Sequence, residues 1–265
     1  MNGPAKADPS RLAELRAKID AIDESVHRLL MQRATVIDEL IEVKGTARNG
    51  AAFRPGREAE MMRRLAGRHQ GHLPLTAIEH LWREIISTFT ALQAPFAVHV
   101  ADEGDLVAAV ETARFYFGFS VPMTIDGSSQ DVIAAIEDGG DRLGIVPIGA
   151  AGRPWWQGFR SAQIVARLPF FDAPGRPAGT PCLVVAPPLA DPVQPEIACY
   201  CVDGLTGMAT PGDGVTVIAE APYGADRFSA LVATTGGEEA VKAAMGDGLD
   251  IRPVGGYAAP FRLPS

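Results

Sequence analysis

The sequence contains few cysteines and no long apolar run. Its three cysteines, Cys182, Cys199 and Cys201, are too few and too unevenly spaced for a disulfide framework, so we expect buried, reduced thiols. No apolar stretch reaches membrane-spanning length, and the first ten residues have no apolar signal core. These absences predict a cytoplasmic protein with no membrane partner.

The sequence also lacks an excess of positive charge. It has 24 Lys and Arg against 32 Asp and Glu, a net charge of −8. Residues 1–95 carry 14 of the basic and 12 of the acidic residues, which leaves 10 against 20 for residues 96–265. The acidic second half argues against nucleic acid as a partner. The length allows two domains.

Residues at the spacing of a metal site are missing as well. Cys199 and Cys201 share one face of a strand-like run, but no second pair of ligands accompanies them. His69 and His72 flank a glycine loop without cysteine or carboxylate partners. We therefore expect no metal ion.

What the sequence does have is a long helical seam near its start. Its apolar residues recur at gaps of three and four, as in a helix that packs against other helices. They are Leu12, Leu15, Ile19, Ile22, Val26, Leu29, Val36, Leu40 and Val43. Arg33 takes the seam position between Leu29 and Val36. Lys44 follows three turns after Arg33, and Arg16 lies one step off the seam.

These three cations have two interpretations. Arg16 and Lys44 could extend into solvent while Arg33 pairs with an acid on a neighbouring helix. Alternatively, all three contribute to a pocket for an anion. Arg16 and Lys44 are 28 residues apart, which is about 42 Å of straight helix. Because no small ligand spans that distance, a shared pocket requires Arg16 from a second, antiparallel chain and predicts an interlocked dimer.

The rest of the chain divides into predicted helices and strands. Ser10 is the expected N-cap of the first helix, and two further helices begin at Pro55 and Pro74, the last ending before Pro95. After Pro95, strands alternate with helices, which predicts a parallel α/β layer. A small α+β unit is predicted at the end of the chain. The Trp155-Trp156 pair is interpreted as a packing patch rather than a ligand-binding rim.

The first 95 residues resemble the all-helical chorismate mutases, in particular the mutase domain of bifunctional chorismate mutase–prephenate dehydratases. The matching pieces are Leu15-Arg16-Ala17-Lys18-Ile19 with Asp23, Gln32-Arg33, Val43-Lys44, Arg54-Pro55-Gly56-Arg57-Glu58 and Leu92-Gln93. Residues 1–9 are expected to form a disordered lead-in. The resemblance implies an all-α three-helix mutase domain over residues 10–95 that forms an intertwined homodimer.

The same resemblance implies a pocket for chorismate. Its residues would be Arg16 from the partner subunit, Arg33, Lys44, Arg57, Glu58 and Gln93. A departure is Phe89, where some relatives place a small polar residue near a substrate carboxylate.

The reaction implied is the rearrangement of chorismate to prephenate, which needs no nucleophile, metal or cofactor. The enzyme holds the compact reactive conformer and stabilises charge on the breaking ether oxygen. Arg16 and Arg33 suit the two carboxylates. Lys44 and Gln93 suit the ether oxygen, and Glu58, supported by Arg57, suits the ring hydroxyl.

The second half resembles a truncated, degenerate prephenate dehydratase. Gly144-Ile145-Val146-Pro147-Ile148 matches the start of a family motif, but Gly149-Ala150-Ala151 replaces its Glu-Asn-Ser continuation. The family's Thr-Arg-Phe motif is at best Thr180-Pro181-Cys182. We assign residues 96–190 to a degenerate dehydratase-like α/β region and residues 195–265 to an ACT-like α+β unit.

The sequence thus predicts a chorismate mutase of aromatic amino-acid biosynthesis with a catalytically silent C-terminal region. Alternatives are a non-catalytic binding or regulatory protein, a chain that is still a bifunctional mutase–dehydratase, and the related isochorismate pyruvate lyase activity.

Overall fold

A computed structural model describes most of the chain. The described residues are 8–44, 53–149, 152–190, 192–224 and 226–263. Most of the predicted lead-in, the loop after the first helix, and the Ala150-Ala151 replacement in the dehydratase motif lie outside these ranges. The contacts divide the chain into two compact units, Met1–Asn49 and Gly50–Ser265.

The first unit contains one long helix, α1, which spans the 36 residues Pro9–Lys44. Asp8 caps it: its carboxylate accepts the backbone N–H of Ser10 at 3.0 Å and of Arg11 at 3.4 Å. The prediction that Ser10 caps the helix was therefore wrong. The Asp8 carboxylate accepts the free N–H groups at the start of the helix, and Ser10 lies inside it. The apolar seam is exposed in the single chain, with Ile22 61% and Leu29 61% exposed.

The second unit begins with two helices, α2 (Pro55–Arg68) and α3 (Leu75–Gln93). Three further helices follow, namely α4 (Leu106–Phe117), α5 (Ser129–Glu137) and α6 (Gly237–Met245). The strands are β1 (Ala97–Ala101), β2 (Met123–Asp126), β3 (Arg142–Pro147), β4 (Gln163–Leu168), β5 (Phe171–Asp172), β6 (Cys182–Ala186), β7 (Ile197–Leu205), β8 (Val215–Pro222), β9 (Phe228–Thr234), β10 (Asp250–Tyr257) and β11 (Phe261–Arg262).

Nine of these strands form one sheet in the order β2-β1-β3-β6-β4-β10-β7-β9-β8. β1 is parallel to β2 and β3, as the alternation of strands and helices predicted. Strands β7 to β10 join this layer through a short parallel contact in which Gly255 of β10 pairs with Ile164 of β4. Gly255 has φ +108°, and a Cβ atom there would overlap the backbone of Ile164, so only glycine fits this junction.

Helices cover both faces of the sheet. On one face, α2, α3 and α4 bury Met62, Leu65 and Ile86 in the same core as residues of β1, β3, β4 and β6. On the other face, α5 packs beside the buried Trp155 and Trp156. Helix α6 covers β7 and β9 in a third core. α2 and α3 therefore belong to the same compact unit as the sheet, and the four-segment division expected from the sequence stays a proposal.

None of the helices in the described ranges is long and apolar enough to cross a membrane.

Candidate functional site

Three of the six predicted pocket residues lie on α1. Arg16 is exposed and Arg33 is half-buried. Lys44 is the last residue of the helix, and nothing is described of its side chain. Since α1 is continuous from Arg16 to Lys44, these residues are about 42 Å apart along its axis. One small molecule cannot contact both residues of a single chain.

Arg57 and Glu58 lie in the first turn of α2, where Pro55 suits the start of the helix. Arg57 is exposed. The Glu58 side chain is only 14% exposed, and its Oε2 accepts a hydrogen bond from Nη1 of Arg83 at 2.9 Å. Burial raises the pKa of Glu58, and the Arg83 guanidinium opposes this shift without cancelling it.

Gln93 is the last residue of α3. Its Nε2 donates to the backbone carbonyl of Phe89 at 3.0 Å, one helical turn earlier, and Phe89 is buried. The amide would have to leave this carbonyl before its N–H group could bind a substrate oxygen. The structure thus brings Arg57 and Glu58 together on α2, whereas Arg16, Arg33 and Lys44 belong to the other unit.

A buried ionic network next to Glu58 was not foreseen from the sequence. At its centre is Glu79 of α3, which is fully buried. Its Oε1 accepts from the hydroxyl of Tyr116 at 3.0 Å, and its Oε2 lies 3.0 Å from Nη1 of Arg176. The Arg83 guanidinium lies 4.0 Å from Glu79 and 4.7 Å from the centre of the Tyr116 ring.

The network extends from the helices into the C-terminal half. The hydroxyl of Tyr116 also accepts the backbone N–H of Phe170 at 2.7 Å. Arg176 donates to the carbonyl of Phe171 at 2.6 Å, and its guanidinium lies 5.0 Å from the Phe115 ring centre. Burial, followed by the nearby Glu79 carboxylate, raises the pKa of Tyr116. We call Glu58, Glu79, Arg83, Tyr116 and Arg176 the buried ionic network.

A small cavity of about 30 Å³ adjoins this network. Glu58, Arg83 and Tyr116 line it together with residues of β4 and β6. It has room for one or two water molecules. The Glu58 carboxylate therefore faces the strands of its own unit.

The dehydratase-like motifs contribute no charged side chain to a shared site in the described ranges. Residues 144–147 belong to β3 and are buried, and Cys182 is fully buried on β6. Trp156 is also buried and donates from Nε1 to Ser229 Oγ at 2.7 Å, in line with the interpretation of a packing patch. Among the described residues, no group of three or more His, Cys, Asp or Glu side chains is placed to hold a metal ion.

Comparison with known proteins relates the N-terminal region to one family. Residues 15–94 match the family described as "Chorismate mutase type II". This confirms the resemblance predicted for the helical region, and the matched segment contains all six predicted pocket residues.

Curated relatives extend the similarity beyond that segment. The bifunctional chorismate mutase/prephenate dehydratase of Pseudomonas aeruginosa is 30% identical over 147 residues, which are 54% of this chain and 40% of that protein. The protein of the same description from Aquifex aeolicus is 33% identical over 142 residues, 52% of this chain and 38% of that protein. Both alignments are longer than the family match. The matched part of the chain thus spans about two fifths of these relatives.

Two solved structures are similar to part of the chain. Prephenate dehydratase from Streptococcus mutans is 12% identical, with a TM-score of 0.38, over 63% of this chain and 100% of that one. A protein described as GqqA, a novel type of quorum quenching acylase, is 14% identical, with a TM-score of 0.40, over 62% of this chain and 95% of that one.

Proposed function

We propose that this chain is a chorismate mutase that rearranges chorismate to prephenate in aromatic amino-acid biosynthesis. The observation that carries the proposal is the family match over residues 15–94, which contains the complete set of predicted pocket residues. The chemistry agrees with the side chains, since a dianionic substrate that rearranges internally needs cations and a neutral hydrogen-bond donor.

In this proposal Arg16 and Arg33 bind the two carboxylates through charge-assisted hydrogen bonds. Lys44 and Gln93 donate to the ether oxygen, where negative charge grows as the bond breaks. Glu58 accepts from the ring hydroxyl, and Arg57 supports it. No step uses a metal or a cofactor.

The active sites belong to a homodimer. Arg16 and Lys44 lie about 42 Å apart on one continuous helix, so each site would take Arg16 from the partner chain. The exposed apolar seam of α1 supports a second copy of the chain as the partner that covers it. The Leu, Ile and Val side chains of the seam between Leu15 and Leu29 are 41–61% exposed. This is an unusually large apolar surface for a helix in water.

The C-terminal region is silent as a dehydratase in this proposal. Thr180-Pro181-Cys182 stands where the family motif has an arginine, and the Cys182 side chain is fully buried. Prephenate supplied to the protein should then disappear only at its uncatalysed rate. We also propose a cytoplasmic location, with which the three buried, unpaired cysteines agree.

The test is direct. Purified protein given chorismate in the presence of a chelator should form prephenate well above the uncatalysed rate. The Arg33→Ala variant should lose most of that activity, because it removes a cation from a desolvated anion site. An absence of turnover by folded, dimeric wild-type protein would exclude the proposal.

A non-catalytic binding or regulatory protein is the second candidate. It is favoured by two contacts that occupy groups the substrate would need, namely Glu58 with Arg83 and Gln93 with the Phe89 carbonyl. A rise in melting temperature with prephenate, without any turnover of chorismate, would support this candidate over the first.

A further inference from the structure

Arg83 of α3 makes a directed contact with Glu58 of α2. Its Nη1 donates to Glu58 Oε2 at 2.9 Å, and the two side chains are only 7% and 14% exposed. Among the described residues, Nε of Arg83 has no hydrogen-bond partner, and it lies 4.0 Å from Glu79. A hydrogen bond between two charged groups that are shielded from water is strong. The main polar contact of the Arg83 guanidinium is therefore the one that fixes the Glu58 carboxylate.

This contact leaves Glu58 able to bind a ligand. The hydrogen bond from Arg83 uses Oε2. An ionised carboxylate has two oxygens, which together accept about four hydrogen bonds. In the proposed reaction Glu58 accepts from the ring hydroxyl of chorismate, and that task requires an ionised carboxylate held in one orientation. Arg83 favours both conditions, since its charge stabilises the ionised form and its hydrogen bond fixes the side chain.

The charge on Glu58 depends on this arginine. Burial raises the pKa of Glu58, and the Arg83 guanidinium opposes the shift. The other charged or titratable groups around the pair are Arg54 and Arg57 at the start of α2, Glu79 on α3, Tyr116 on α4, Arg167 on β4 and Arg176 after β5. Tyr116 adds no charge, because burial raises its pKa. Without Arg83 the burial of Glu58 would remain, and the neutral carboxyl would persist to higher pH.

Side chains of the C-terminal half, residues 96–265, hold Arg83 in position. Its guanidinium lies 4.7 Å from the centre of the Tyr116 ring. The Tyr116 hydroxyl donates to Glu79 and accepts a backbone N–H from the loop after β4, which fixes the ring. Arg176 lies 3.0 Å from Glu79 and supplies that carboxylate with a cation of its own. Arg83 can therefore stay on Glu58 instead of being drawn onto Glu79.

We propose that Arg83 is a positioning residue of the mutase site, and that the C-terminal half supports this site by holding Arg83 against Glu58. The inference rests on the proposed chorismate mutase function. Arg83 touches no substrate in this proposal, since it acts through Glu58. A C-terminal half that is silent as a dehydratase thereby gains a part in the mutase reaction.

The first test measures the ionisation of Glu58 directly and needs no activity. Full-length protein is labelled at the glutamate carboxyl carbons, and the Glu58 signal is identified in the NMR spectrum by its loss in Glu58→Gln. Arg83→Gln should raise the titration midpoint of Glu58 by about one to two pH units, the loss of one charge-assisted hydrogen bond. Arg83→Lys keeps the charge and should reverse most of that shift. An unchanged midpoint in Arg83→Gln would overturn the proposal.

A matched control removes another arginine from α2. Arg63 pairs with Glu196 of the C-terminal half at 2.7 Å. Arg63→Gln therefore breaks an ion pair of the same kind without removing the partner of Glu58. The midpoint of Glu58 should stay at its wild-type value. A shift as large as that of Arg83→Gln would mean that any loss of a nearby arginine has this effect, which contradicts a specific role for Arg83.

Arg176→Gln tests the contribution of the C-terminal half. Arg176 pairs with Glu79 rather than with Glu58. Without it, Arg83 is the remaining cation beside Glu79 and should be drawn away from Glu58. The midpoint of Glu58 should then rise in the same direction as in Arg83→Gln, but by less. A midpoint equal to that of Arg63→Gln would show that the C-terminal half does not hold Arg83. If Arg83→Gln does not fold, this variant still tests the proposal.

The second test links the contact to catalysis. The fall in kcat/KM for chorismate on acidification should begin about one to two pH units higher in Arg83→Gln than in the wild type, because only an ionised Glu58 accepts from the ring hydroxyl. A merely structural role would lower kcat/KM by the same factor at every pH, and that result would contradict the proposal. If wild-type protein turns over no chorismate, the proposed function fails, whereas the carboxyl titration still decides whether Arg83 holds Glu58.

Discussion

The buried ionic network should make Glu79 one of the most sensitive positions for stability. The change to test is Glu79→Gln, which keeps the size of the side chain and removes its charge. In the wild type, Glu79 is fully buried, accepts from Tyr116 and faces Arg176 at 3.0 Å. Arg83 keeps Glu58 as a partner in the variant, whereas Arg176 loses its nearest carboxylate.

The expected loss in the free energy of unfolding follows from these contacts. Removing one partner of a buried ion pair typically costs about 3–5 kcal/mol, because the remaining charge stays buried without compensation. Since Arg83 remains paired and Arg176 keeps the carbonyls of Phe171 and Pro177, we expect a value near the lower end, about 3 kcal/mol. For a unit of this size, that loss lowers the melting temperature by on the order of 10 °C.

Urea denaturation followed by circular dichroism measures the free energy of unfolding. The matched control is Glu60→Gln, which breaks an exposed ion pair of the same kind on α2 and should cost less than about 1 kcal/mol. If Glu79→Gln is too unstable to purify, Tyr116→Phe removes a single hydroxyl of the network and should cost about 1–3 kcal/mol. A loss below about 1 kcal/mol in Glu79→Gln would refute the reasoning, because it would mean that water or another group neutralises Arg176.

Three further predictions concern the proposed active site and the sheet. Mixing Arg16→Ala chains with Lys44→Ala chains should restore up to about a quarter of wild-type activity, since a composite dimer then contains one intact site; no recovery after complete subunit exchange would contradict a shared site. Gln93→Glu should confine mutase activity to acid pH, because an ionised carboxylate repels the developing charge on the ether oxygen; a flat pH profile would count against Gln93. Burial raises the pKa of Glu137, but hydrogen bonds from residues 160–162 outweigh this effect and hold the pKa at about 2. The stability that the ionised Glu137 contributes is therefore present above the ordinary glutamate pKa and is lost as pH falls toward 2. Glu137→Gln should therefore be less stable than wild type at pH 7, and the difference should shrink on acidification; a constant difference would argue against an ionised Glu137.

Long elements with a clear period could be predicted from the sequence alone. The apolar seam predicted from Leu12 to Val43 lies within one continuous helix, α1. Such elements are determined locally, because every turn repeats the same pattern. The two-residue strands β5 and β11 have no period to detect and were not predicted.

The features missed in the second unit depend on residues far apart in sequence. Glu79 and Arg176 are separated by nearly a hundred residues, and their ion pair forms only because α3 packs beside the loop after β5. A local sign existed, since Glu79 and Arg83 are four residues apart on the buried face of α3. This spacing does not reveal that Arg176 is the second partner of Glu79. The union of the α/β layer with strands β7 to β10 likewise depends on one long-range pair, Gly255 with Ile164.

Helix α2 carries two residues of the predicted mutase pocket and packs in the same core as strands of the C-terminal half. Glu58 is tied through Arg83 to the buried ionic network, which also contains Tyr116 and Arg176. A shift of α2 would therefore move Arg57 and Glu58 of the predicted pocket and disturb the buried ionic network at once.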